Sequence, residues 1–494
     1  MPYILSIDQS TSVTKGLVWD TRGALIARAD VPHRQITDER GWIEHDPEEI
    51  WCNVLAAAAA ALKKSGVAPS DIRAVGISNQ RETAVCWDEH TGRPVYNAIV
   101  WQCGRAAPIA DKLRAQGMAQ AVRQKTGLNL SPYFSAAKFA WVARNVSEAR
   151  SALRRGALRC GTMDSWLLYK LTGGFFTDYS NASRTQLLNL DTLAWDGELI
   201  QAFGLTPECL PQIRMSDSMF GRTRLEGLLP APVPVCGVLG DSHAALFGNR
   251  CHAPGMAKIT YGTGSSVMMN AGPHRPQLCE GAVTSLAWGM EGEVQYVLEG
   301  NINYAGAVIK WLVEDIELLD NPQEAGRIAA LAQSTNGVYL IPAFSGLGAP
   351  YFNDQARAAF LGMNRTTKRA HLVRAAEECI AYQITDVVAA IQRGSDVPLH
   401  TIRADGGPTR DSFLMQFQAD MLGLPVQISR VEEVSGAGAA YCATISAKLA
   451  SAEELFAQAA YVSVTPRMGE AERMQYYSGW KAAAGSIAQT RTGG

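Results

Sequence analysis

The sequence predicts an α/β protein of two domains built on one plan and facing each other across a cleft. Three observations predict it. Residues 4–20 (Ile-Leu-Ser-Ile-Asp-Gln-Ser-Thr-Ser-Val and on to Val18-Trp19-Asp20) read as strand, hydroxyl-rich turn, strand. Half a chain later, residues 257–270 repeat the design around Tyr261-Gly262-Thr263-Gly264-Ser265-Ser266. Each hairpin is followed by a long mixed region and a further strand ending in small polar residues, 72–80 in the first half and 401–407 in the second. Any single hairpin needs a polar turn, and one turn alone carries no more than that. The repetition points to duplication, and clefts between domains are preferred ligand sites.

Length and composition fit this reading. A chain of 494 residues is too long for one ordinary core. The expected division is 1–240, 241–480 and a flexible tail 481–494, with a helix packing up to Trp480 and disorder from Thr490 to Gly494. With 47% hydrophobic and 19% charged residues the chain is globular. A net charge of −2 argues against nucleic acid or an anionic membrane as partner. No apolar run reaches the roughly 20 residues that span a bilayer. The first residues read as a strand, with no basic region or cleavage site. Ten scattered cysteines without a Cys-x-x-Cys predict free thiols and a cytoplasmic location. Eight histidines without ligand spacing argue against zinc. Asp46-Pro47-Glu48-Glu49 supplies the N-cap, first-turn proline and acidic first turn of a helix through the alanine run 56–61.

Between the hairpins lies the most informative carboxylate. Residues 235–240 form an apolar run ending in glycine, Asp241 follows, and a small-residue helical pattern begins. Strand ends facing a cleft are where α/β enzymes keep reacting groups, and a lone carboxylate there is a candidate general base. A helix N-cap is an equal reading of Asp241 taken alone. His243 cannot build a Ser-His-Asp triad with its neighbours and reads as a packing residue. Turns lined by N–H groups and hydroxyls can grip phosphate without a lysine. Neither a Walker A motif nor a Gly-x-Gly-x-x-Gly fingerprint is present.

Tyr133-Phe134-Ser135-Ala136-Ala137-Lys138-Phe139-Ala140-Trp141-Val142-Ala143-Arg144-Asn145 resembles the first signature of the FGGY carbohydrate kinases. Residues 359–363 through 371–377 resemble the second, and the similarity runs from about Ile4 to about Leu449, closest to the glycerol kinase branch. The resemblance implies two actin-like (ribonuclease H-like) ATPase domains, ATP and Mg²⁺ as cofactors, and a homo-oligomer, dimer or tetramer. It implies Asp241 as the catalytic base and Asp8 as the Mg²⁺ carboxylate. Arg81 and Glu82 would grip adjacent hydroxyls, although such a pair at a strand end can equally be a surface ion pair. Trp101 would wall the carbon chain and Tyr133 would offer a further hydroxyl; by residue type alone both can be structural. Ser10, Thr11, Ser12 and Lys15 fall in the first phosphate turn, with Thr263 and Gly264 in the second. Gly306, Lys310, Gly406, Gly407 and Asp411 would hold the adenosine.

Four positions depart from the glycerol kinase pattern. Ser242 stands where those enzymes carry Gln, and Ser266 where they carry Phe, so the far end of the substrate site should be wider and more polar. Ser10 replaces a turn glycine, and Asp411 an Asn near the base. The expected activity is ATP-dependent phosphorylation of a primary hydroxyl of a small polyol or ketose, with glycerol a secondary substrate. Glycerol kinase proper, a catalytically silent sugar-binding relative, and an actin-like filament or chaperone ATPase are the alternatives. The last would have no reason for Arg81-Glu82 and Trp101.

Overall fold

A computed structural model describes residues 1–353, 355–457 and 461–488. Tyr3–Gln9 and Val13–Asp20 pair antiparallel, with Leu25–Pro32 beyond them. Ile72–Asn79 and then Val233–Gly240 add in parallel on the other side of Tyr3–Gln9, and Gly221–Thr223 closes the edge. Ile4, Leu5, Ile7, Leu17 and Val18 are fully buried, so successive residues pointing to both faces of the sheet are covered. Such continuous apolar runs are the signature of a strand with helices on both sides.

One of those helices is Pro47–Ser65. Asp46 caps it by accepting from the Glu48 N–H, Pro47 starts it and Gly66 ends it in the left-handed region, as the sequence predicts. The opposite face is covered by a helix from the far end of the chain, Val434–Ser446, which packs on Tyr3–Gln9, Ile72–Asn79 and Val233–Gly240. It also lies directly against Asp241–Gly248. Only glycine allows that approach: a Cβ on Gly438 would stand 1.9 Å from the Ala244 carbonyl oxygen.

The second sheet repeats the first. Met256–Tyr261 and Ser265–Gly272 form the hairpin, and Glu293–Ile302 takes the third place. Thr401–Asp405 and Val426–Ser429 add in parallel beyond Met256–Tyr261. Val283–Met290 and Tyr461–Val464 extend its two edges. The strand pair singled out in the sequence, 72–79 and 401–405, therefore occupies the same place in each sheet. Asp241–Gly248 and Val434–Ser446 likewise each follow the last parallel strand of their sheet. The duplicated α/β architecture expected from the hairpins is the one observed.

The C-terminal helix runs Glu470–Ala488, eight residues beyond the point where a flexible tail was expected. Fully buried Trp480 anchors it, donating its Nε1–H to Asp386 Oδ2 at 2.7 Å. Lys481 reaches the same carboxylate at 3.2 Å. The expected disorder from Thr490 to Gly494 lies outside the described residues.

Candidate active site

Asp241 opens the helix Asp241–Gly248 directly after the strand Val233–Gly240. The N-cap of that helix is Gly240 and no side chain caps it, so Asp241 is not spent as a cap. Its Oδ1 accepts from the Ser242 N–H at 2.6 Å and lies 3.3 Å from Arg81 Nε. A third of the side chain remains open to solvent. Burial pushes its carboxyl up to about 6; Arg81 opposes this, while Glu82 and Asp8 add to it. An acid that titrates near there is ionised at neutral pH yet basic enough to accept a proton, which suits a general base.

Arg81 and Glu82, at the end of Ile72–Asn79, are both buried and do not pair with each other. The Arg81 guanidinium forks onto Glu299, its Nη1 and Nη2 at 2.9 and 2.8 Å from the two carboxylate oxygens. Glu82 accepts from Arg184 Nε at 2.5 Å, and Arg184 Nη1 lies 2.9 Å from Glu299 Oε2. Burial alone would raise the Glu299 carboxyl, but the Arg184 and Arg81 guanidiniums hold it well below the usual carboxylate range. Two arginines and two glutamates thus alternate in a buried chain, Arg81–Glu299–Arg184–Glu82, in which the bidentate fork fixes the Arg81 plane. Glu82 holds φ at 59°, a left-handed conformation unfavourable for a side chain of its size. Sequence reasoning missed Arg184 and Glu299. A charge inside the apolar strand run Tyr296-Val297-Leu298-Glu299 was the available signal for the latter.

Trp101 and Tyr133 meet edge to face, with ring centroids 5.5 Å apart. Trp101 donates its Nε1–H to Thr11 Oγ1 at 2.9 Å, tying it to the turn of the first hairpin. Fully buried Lys138 of the first signature bonds the Tyr133 carbonyl and lies 3.4 Å from that of Phe134 and 3.5 Å from that of Glu82. It therefore positions these backbones from behind; burial lowers its ammonium to about 7, against the opposing pull of Glu82. His243 is buried, its Nε2 3.4 Å from Ser285 Oγ. Desolvation, with Arg81 adding, keeps its ring neutral, the packing role expected.

Register places Ser266 on the same side. Ser266 lies opposite Thr260 on one flank and Asn301 on the other, and Met268 lies opposite Lys258 and Glu299. Because side chains alternate along a strand, Lys258, Thr260, Ser266, Glu299 and Asn301 share one face, the face that Arg81 meets. Lys258, fully buried and also missed, donates to Thr260 Oγ1 at 3.0 Å and Ser266 Oγ at 3.2 Å. Asn301 Nδ2 reaches Glu299 Oε1 at 3.3 Å. Ser242 and Ser266 are both half-buried.

The two hairpin turns differ in how they are held. In the first, the Ser10 N–H and hydroxyl both go to the Val13 carbonyl, at 3.0 and 2.9 Å, so the hydroxyl expected for phosphate is used within the turn. In the second, the Ala305 and Ala307 N–H groups bond the Thr263 carbonyl, and that of Gly306 bonds the Gly262 carbonyl. Asp8 Oδ1 is buried without a hydrogen-bond partner, while its Oδ2 lies 3.4 Å from Lys15 Nζ. Lys15 bonds Glu433 more closely, at 2.6 Å. Burial works against its charge, but Asp8 and Glu433 together raise its pKa. Among the described residues no group of three or more His, Cys, Asp and Glu is placed to hold a metal.

A cavity of about 490 Å³ opens beside the second turn. Thr263, Gly306, Lys310, Gly407 and Asp411 line it, bringing together five of the residues expected at the nucleotide. Gly264 and Gly406 stand behind it: a Cβ on Gly406, whose φ is 101°, would stand 1.9 Å from the Tyr261 carbonyl oxygen. Asp411 caps the helix Ser412–Leu422, accepting from Phe413 and Leu414 N–H at 2.8 and 3.1 Å. It also accepts from the Gly326 N–H at 3.0 Å. Neither Asp241 nor Arg81 lines this cavity.

Two sheets of one topology, each carrying a phosphate-type turn, with a carboxylate at a strand end, define an ATPase-fold phosphotransferase. Residues 3–248 match the N-terminal domain model of the FGGY family of carbohydrate kinases and residues 257–447 its C-terminal domain model. The chain is 46% identical to glycerol kinase 1 of Thermotoga maritima over 97% of this chain and 98% of that one. It is 43% identical to the glycerol kinase of Caldanaerobacter subterraneus over 97% of each. A crystal structure of Plasmodium falciparum glycerol kinase with ADP superposes with a TM-score of 0.93 at 32% identity, covering 99% of both chains. Xylulose kinase of Lactobacillus acidophilus shares the fold, with a TM-score of 0.88 at 21% identity. The protein belongs to the FGGY family of carbohydrate kinases. It is an enzyme, a phosphotransferase acting on an alcohol group. Among the described residues no helix is long and apolar enough to cross a membrane.

Proposed function

We propose that the chain transfers the γ-phosphoryl group of Mg²⁺-ATP to a primary hydroxyl of a small polyol or ketose, and that it does so in the cytoplasm. Residues 1–240 supply the first phosphate turn and the acceptor-site residues Arg81, Glu82, Trp101 and Tyr133, and residues 241–480 the catalytic base, the second turn and the base pocket. The observation that carries this reading is Asp241, partly open to solvent, raised to about 6 and oriented by an Arg81 whose plane Glu299 fixes. Asp241 accepts the proton of the attacking hydroxyl as the oxygen–phosphorus bond forms and the bond to ADP breaks; positioning and charge neutralisation supply most of the rate. Arg81 and Glu82 face the diol as donor and acceptor, and Trp101 packs on its carbons. The N–H groups of Thr11, Ser12 and Thr263 make no hydrogen bond among the described residues and are free for phosphate oxygens.

The buried, unpartnered Asp8 Oδ1 fits Mg²⁺ held mostly through water and nucleotide oxygens. When bound there, the ion neutralises phosphate charge. Cleft closure around both substrates would exclude water that otherwise accepts the phosphoryl group.

A polyol or ketose longer than glycerol suits the polar face made by Ser266, Lys258 and Asn301. The identity to relatives named glycerol kinase favours a second reading, glycerol itself. ADP release across glycerol, erythritol, xylitol, erythrulose, xylulose and ribulose separates the two. The first reading expects kcat/KM to be highest on a longer acceptor, and Ser266→Phe to shift preference toward glycerol. A kcat/KM for glycerol above every longer acceptor would establish the second.

A further inference from the structure

The base pocket holds a carboxyl group that phosphoryl transfer does not use. Glu377 lies in the helix Arg369–Arg393 and lines the cavity beside Ile380, Pro408 and Leu414. It is 2% exposed, and its Oε2 is buried without a hydrogen-bond partner among the described residues. A buried oxygen left unpaired in an apolar setting is costly, so its presence needs a compensating partner. The other carboxylate of the lining is already engaged: Asp411 accepts from three backbone N–H groups.

We infer that Glu377 is a specificity-determining residue that accepts a hydrogen bond from the exocyclic amino group of adenine in the bound nucleotide. Burial, with the Asp411 charge adding, pushes the Glu377 carboxyl well above the ordinary range. The neutral acid carries one acceptor and one donor, which match the adjacent amino group and ring nitrogen along the adenine edge. The inference rests on this cavity being the nucleotide site.

The experiment is a calorimetric double-mutant cycle on the full chain. ADP and purine riboside 5′-diphosphate, which lacks only the amino group, are titrated into the wild type, Glu377→Leu and Glu377→Gln. Glu377→Leu is expected to weaken ADP roughly tenfold and the amino-free analogue by less, since the analogue can lose only the bond at the ring nitrogen. Glu377→Gln, which keeps an acceptor and a donor in the same shape, is expected to stay close to wild type. Thermal melting of the ligand-free Leu variant should show no loss of stability, since it removes an unpaired polar atom. Equal losses for both nucleotides, or no loss for either, would overturn the role of Glu377, and so would a Gln variant as weak as Leu. Failure of the wild type to bind ADP would instead overturn the nucleotide-site reading beneath it.

Discussion

Around Arg81, ionisable side chains from three separate stretches of chain are packed out of water and pair with one another. Around the base pocket, glycines, prolines and aliphatic side chains shape a cavity in which one carboxylate caps a helix and another has an oxygen with no partner among the described residues. The contrast follows from what each side must bind. A small polyol offers only hydroxyls, so its site must present fixed donors and acceptors, and fixing charges in a buried site takes counter-charges. A nucleotide base offers a broad flat face, so its pocket needs backbone that can approach closely and very few polar contacts. On the proposed function, the acceptor side is therefore rigid and electrostatic, and the nucleotide side is a matter of shape.

Breaking the acceptor side at its centre should have the largest effect. Asp241→Asn is expected to lower kcat by about 10²–10⁴-fold, the usual contribution of a general base, as read by coupled ADP release. Next comes the counter-charge: Arg184→Met leaves Glu82 and Glu299 without one of their cations. Removing one partner of a buried ion set costs about 3–5 kcal/mol, so the urea midpoint should fall markedly, with ADP affinity of the folded fraction retained. Unchanged stability would mean that the set is not as dry as the geometry indicates. The Asp241 carboxyl near 6 sets a pH limb. Its base form is lost as pH falls, so kcat/KM for the acceptor should drop roughly tenfold per pH unit well below that value and level off above it. On the nucleotide side, Asp411→Ala should cost about 1 kcal/mol through loss of the cap. That is a shift of a few degrees in melting temperature, with turnover on the acceptor largely kept.

The same contrast explains what the sequence could reveal. Hairpins 3–20 and 257–270 are local, and their apolar flanks and polar turns are visible in a few consecutive residues. Arg81, Glu82 and Asp241 stand at strand ends and were legible for that reason. Glu299 and Arg184 were not, because they meet Arg81 and Glu82 across 218 and 102 residues of chain. Lys258 reads as an ordinary strand residue until register sets it beside Ser266. Ser10 is the converse case: its place in the hairpin turn was legible, but its hydroxyl is spent on Val13. The tail boundary missed by eight residues because Trp480 anchors the middle of its helix rather than the end. Glu377 sits in a run, Ala375-Ala376-Glu377-Glu378-Cys379, where nothing local separates a buried acid from a surface one. Its neighbour Glu378 is ion-paired to Arg374 at 2.6 Å; Glu377 is not.

The measurement that tests the account most directly is made on one variant, Asp241→Asn. Calorimetric ADP affinity and steady-state turnover on the best acceptor of the panel are compared with wild type. The account predicts turnover reduced by about two orders of magnitude or more with ADP affinity unchanged, because the reacting carboxylate and the base pocket are separate structures. Retained turnover would contradict Asp241 as the base, and a parallel loss of ADP affinity would contradict the division of the site into two independent sides.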